Sequence, residues 1–103
     1  MKFVLAFTTR SGGSEAEVHE AGKRAQALLA KWQPSPSATI REWVSRCDGN
    51  GGFSVLESDN ATELLKDLST WSSFLEFNLY PVVDIADATP ATNAAIALRD
   101  SIG

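Results

Sequence analysis

From Lys2 to Thr8 the chain sets apolar residues on both faces of an extended run, with Phe3, Leu5 and Phe7 alternating with Val4 and Ala6. That pattern predicts a central strand covered on two sides, closed by Arg10-Ser11-Gly12-Gly13. Ser14, with Glu17 three residues on, has the form of a capping box and opens a helix. Val18, Ala21, Ala25, Leu28, Leu29 and Trp32 recur at helical spacing along it, and Pro34 and Pro36 end it. Thr39 to Arg46 alternates again, Ile40, Glu42 and Val44 against Arg41, Trp43 and Ser45, as a strand does. Cys47-Asp48-Gly49-Asn50-Gly51-Gly52 holds two hairpin signals, Asp-Gly and Asn-Gly, before a returning strand at Phe53 to Glu57. A second helix starts near Asn60, with Ala61, Leu64, Leu65, Leu68 and Trp71 on one stripe. Leu75 to Val83 is the fourth strand, and Pro81 suits an edge or a strand end. Thr89-Pro90 reads as a cap followed by proline at the first helical position, leading into a short helix with Ala91, Ala94, Ala95, Leu98 and Ile102.

The order β-α-β-β-α-β predicts an α+β, ferredoxin-like domain: a four-stranded antiparallel sheet with two helices on one face, plus an extra C-terminal helix. Residues 1–86 form the expected core and 87–103 the helical extension of one domain. Alternation assigns Phe3, Leu5, Phe7, Ile40, Val44, Phe53, Val55, Phe77 and Leu79 to the helix side. Glu42 fits that side poorly. The open face then presents Val4, Ala6, Thr8, Arg41, Trp43, Ser45, Ser54, Leu56, Glu76, Asn78 and Tyr80. So mixed a face is too apolar for plain surface, and such patches mark an interface or a ligand site.

Composition narrows the classes. Hydrophobic residues at 44% and charged residues at 21% are an ordinary globular balance, so disorder is not expected. A chain of 103 residues buries about 65% of its unfolded surface and needs no staple. The net charge is −4 and the longest basic run is Lys23-Arg24, so no basic face is expected to meet nucleic acid. The five-residue apolar run at the start is too short for a secretion signal, and no stretch approaches the length of a membrane span. One cysteine, Cys47, forms no internal bridge, which fits a reducing compartment and makes the cytoplasm the default location.

Few residues carry obvious chemistry. His19, the only histidine, falls away from the apolar stripe between Glu15 and Lys23, as a solvated side chain does. Cys47 has no activating neighbour in sequence. No metal site is expected, because one His, one Cys and scattered carboxylates supply no ligand spacing. The loop Arg10–Ser14 leads from strand to helix as phosphate sites do, yet it lacks a phosphate-loop motif, and Glu15 and Glu17 already occupy the helix start. Trp32 and Trp71 fall on helical stripes and read as core. Trp43, with Arg41 on the open face, reads as dimer interface or cavity wall.

Gly49 to Asp84 reads Gly-Asn-Gly-Gly-Phe-Ser-Val-Leu-Glu, then a helix with Trp71, then Phe77, Pro81, Val82 and Asp84. This resembles family 3303 of the domains of unknown function, related to the dimeric α/β-barrel superfamily. The likeness runs from residue 1 to about residue 86, with Gly51-Gly52-Phe53, Glu57, Trp71 and Pro81-Val82 its most specific parts. The resemblance implies a ferredoxin-like protomer whose sheets face each other across a homodimer. The wider superfamily holds cofactor-free oxygenases, haem-degrading enzymes and plain ligand binders, so the fold alone does not choose an activity.

Three functions follow as expectations. One is a small-molecule binder with no cofactor, its cavity on the open face lined by Arg41, Trp43, Ser54, Asn78 and Tyr80. Another is a cofactor-free oxygenase or isomerase with Glu76 or Tyr80 as its acid or base. The third is a structural dimer whose open face is interface throughout.

Overall fold

A computed structural model describes residues 1–10 and 13–103. The chain runs β1 (Lys2–Thr9), α1 (Glu15–Lys31), β2 (Ala38–Ser45), β3 (Gly51–Ser58), α2 (Ala61–Trp71), β4 (Leu75–Val82) and α3 (Ile85–Ile102). The strands form an antiparallel sheet in the order β2-β3-β1-β4. That is the expected ferredoxin-like α+β arrangement with a C-terminal helix. β1 lies inside the sheet, as its two apolar faces require, and Pro81 sits near the end of edge strand β4.

Local chemistry accounts for the element ends. The Ser14 hydroxyl accepts from the Glu17 N–H at 3.2 Å, and the Asn60 side chain accepts from the Glu63 N–H at 3.0 Å, so both helices begin at true side-chain caps. Ser11 and Gly12 of the first strand-to-helix loop lie outside the described residues, and so does the phosphate question raised for them. In the β2–β3 hairpin Gly49 takes φ 76°, and Asp48 accepts from the Asn50 N–H at 2.9 Å.

The core is a cluster of Leu5, Leu56 and Leu64, flanked by Phe3, Phe7, Leu68, Phe77 and Leu79. Trp71 of α2 is buried as expected. α1 packs more loosely than its stripe suggests: Ala21, Ala25, Leu28 and Trp32 are half-buried, whereas Val18 and Leu29 are exposed.

Two sequence expectations about the sheet fail. Gly51 and Gly52 belong to β3, and the inward residues of that strand are Gly52, Ser54, Leu56 and Ser58, all buried. Phe53 and Val55 therefore point to the open face, opposite their assignment. The cause is steric. Phe7 lies so close to Gly52 that an added Cβ would come within 2.6 Å of its ring, so the inner face is built of small residues there. In β2, the pairing Ile40↔Leu56 is followed by Glu42↔Val55, which leaves Arg41 as an extra residue in a bulge. Beyond it the alternation inverts: Glu42 and Val44 turn to the open face, and Trp43 and Ser45 turn to the helix side. The poor fit of Glu42 was the trace of this bulge.

The last helix also differs. It starts at Ile85, with Asp84 as N-cap, so Pro90 stands inside the helix rather than at its first position. A proline there removes the hydrogen bond to the Ala86 carbonyl.

Candidate functional site: a tryptophan-lined cavity

Between the sheet and α2 lies an apolar cavity of about 80 Å³. Leu5 and Phe7 of β1, Leu56 of β3 and Phe77 of β4 form its floor; Leu64, Leu68 and Trp71 of α2 form its roof. Trp32, which caps the C-terminal end of α1, and Trp43 of β2 close the flank. The rings make a chain of edge-to-face contacts. Trp43 and Trp32 stand 6.2 Å apart at 79°, Trp32 and Trp71 5.6 Å at 86°, and Trp71 and Phe74 6.4 Å at 64°. This geometry sets the positive edge of one ring against the negative face of the next. The chain runs from surface to core: Trp43 is 49% exposed and Trp71 only 9%.

Two polar side chains reach the wall, and both are engaged within the protein. The Ser54 hydroxyl donates to the Glu42 carbonyl at 2.8 Å. Asp67, buried on α2, accepts from the Ser35 N–H at 3.0 Å and from its hydroxyl at 2.8 Å. Among the described residues no buried side-chain polar atom lacks a partner. Asp67 was missed in the sequence, although its place between Leu64 and Trp71 on the apolar stripe was a signal. It ties α2 to the proline-flanked segment that delivers β2.

Outside the cavity, Phe7, Leu29, Trp43, Val44 and Ser45 line an open groove of about 310 Å³. Phe7 and Trp43 border both spaces, so their rings are the partition.

The five expected ligand residues do not share a face. Trp43 and Ser54 face the helices, because of the β2 bulge and the β3 register. Arg41, Asn78 and Tyr80 stay on the open side. Arg41 pairs with Glu57 at 2.6 Å. Asn78 and Tyr80 are exposed on β4, opposite Ala6 and Val4. Glu76, the other candidate acid or base, is exposed and pairs with Arg10 at 3.2 Å. Glu76 and Tyr80 thus lie on the face of the sheet away from the cavity. The open face itself has an apolar centre, with Val44, Phe53 and Tyr80 about half exposed beside Val4, Ala6 and Val55. Ion pairs rim it: Arg41–Glu57, Arg10–Glu76 and Lys2–Asp84.

His19 and Cys47 are exposed. Among the described residues no three His, Cys, Asp or Glu side chains gather as a metal set, and no helix is long and apolar enough to cross a membrane.

A search of curated proteins finds no match to the chain. A family model does match, over residues 1–96, and so takes in most of α3 as well as the sheet and its two helices. The extension expected to lie outside the family is thus largely part of it, and the chain belongs to DUF3303, a domain family of unknown function.

Proposed function

We propose that this protein binds a small, neutral, apolar molecule, an aromatic ring by preference, in the tryptophan-lined cavity, and that it works as a homodimer joined through the open sheet face. The observation that carries the binding site is the partition between the two voids. An engineered cavity of about 150 Å³ accepts benzene, and the inner space of about 80 Å³ is smaller. Trp43 is the movable wall: it sits on an edge strand, half exposed, in a T-shaped contact with Trp32. A turn of its side chain joins the cavity to the groove outside and makes room for one ring. The ligand is neutral because Ser54 and Asp67 already have partners, and an unpaired charge among these side chains is costly.

Binding is favoured over turnover because Glu76 and Tyr80 are across the sheet from the cavity, out of reach of a molecule inside it. The apolar centre and charged rim of the open face have the anatomy of a protein interface and support the dimer. In that assembly Asn78 and Tyr80 line the seam. A cytoplasmic location accords with the unpaired, exposed Cys47.

The test is an NMR titration with indole, following the side-chain N–H signals of the three tryptophans. Saturable shifts of all three are expected. Linear shifts up to the solubility limit would remove the proposal.

A further inference from the structure

α3 spans 18 residues and none of them is buried. Ile85 and Ile102, at its two ends, are 80% and 78% exposed, and Ile96 and Leu98 are open between them. A helix of this length reaches about 27 Å, and it draws the molecule out to 62 × 30 × 22 Å. The radius of gyration is 18.2 Å, against about 13 Å for a compact chain of this size. Such a helix is not self-sufficient. Most helical stability in proteins comes from packing an apolar face, and Pro90 weakens this helix further.

Exposed area says what is missing. The chain exposes 7554 Å², whereas a compact monomer of 11.1 kDa exposes about 5,650 Å². The excess, about 1,900 Å², falls in the range that each subunit of an obligate dimer buries, about 1,000–2,500 Å². The open sheet face supplies part of it, its four eight-residue strands having a flat footprint of about 500 Å². Ala88, Ala91, Ala95, Leu98 and Ile102 recur at alternating steps of three and four, a seam for packing along another element. The family match through residue 96 puts most of this helix within the domain.

We infer that α3 is a docking arm whose seam lies along a second copy of this chain. The inference rests on the proposed homodimer and adds that the arm, beside the sheet face, holds it. A two-fold pair gives every copy both an arm and a place to receive one.

Sedimentation velocity on the full chain tests it, with Leu98→Glu/Ile102→Glu in the arm and Phe53→Glu in the open face as separate variants. The unaltered chain should run at about 22 kDa, twice the chain mass. The arm variant should raise the dimer dissociation constant at least tenfold. Its indole titration should stay as in the unaltered chain, because both residues are exposed and far along the chain from the cavity wall. If the arm variant dimerises as tightly as the unaltered chain while Phe53→Glu dissociates, the arm is excluded and the open-face dimer stands. A particle of about 11 kDa for the unaltered chain at micromolar concentration would remove both.

Discussion

Trp71 and Trp43 carry the same side chain at a buried and a half-exposed place in one aromatic chain, so replacing each by alanine separates packing from access. Trp71→Ala deletes a buried aromatic and should cost about 3–5 kcal/mol in denaturant melts. A loss under about 1 kcal/mol would show that Trp71 is not a core residue. Trp43→Ala, at a half-exposed site, should cost only about 1–2 kcal/mol and should open the cavity to the groove, giving indole faster exchange and weaker binding. Asp67 is held to one partner, Ser35, through two hydrogen bonds. Asp67→Ala leaves the buried Ser35 N–H unpaired and should cost about 1–3 kcal/mol by the same melts. In the hairpin, the Asn50 N–H first and Arg46 second hold the Asp48 carboxyl below its ordinary value of 3.8. A lowered folded value means the contribution is present above the unfolded value and lost as pH falls through the folded one. The hairpin amides should therefore titrate with a midpoint below 3.8, and an Asp48 midpoint at or above 3.8 would contradict this.

At the scale of elements, β3 depends on the missing side chain of Gly52. Gly52→Ala would bring a Cβ within 2.1 Å of the Val44 carbonyl oxygen and against the Phe7 ring, so β1, β2 and β3 would have to shift together. Broad loss of amide-exchange protection across those strands is expected, and full protection would contradict the register. Much of the fold was legible because its signals are local: both side-chain caps, the Asp-Gly turn, the two-faced β1 and the edge proline of β4 each follow from a few neighbouring residues. The facing of β3 was not legible. Its inner positions are Gly52, Ser54, Leu56 and Ser58 and its outer ones include Phe53 and Val55, so polarity points the wrong way when close packing demands small residues inside. The bulge at Arg41 hid for a related reason, since alternation assumes an unbroken period and one extra residue reverses everything after it. Together these two effects moved Trp43 and Ser54 from the expected face to the cavity wall. The cavity arises from distant elements failing to fill a space, and no single segment encodes that. The start of α3 was misread because proline usually marks the first turn, while here Asp84 caps a helix that carries Pro90 in its second turn.

For the whole molecule, ligand and stability are linked. A ligand that binds only the folded chain, at one hundred times its dissociation constant, adds about 2.7 kcal/mol, so an indole-dependent rise in the thermal midpoint should accompany the NMR shifts. The sheet has two outer strands, β2 and β4. Each is interrupted: β2 by the extra residue at Arg41, and β4 by Pro81, which has no N–H to offer. Exposed, regular sheet edges are templates for unlimited strand addition, the route to fibrils. Restoring both edges, by deleting Arg41 and replacing Pro81 by valine, should raise thioflavin-positive aggregation above that of the unaltered chain in a side-by-side incubation. The same two irregularities steer neighbouring copies away from joining end strand to end strand, a route that has no natural stopping point.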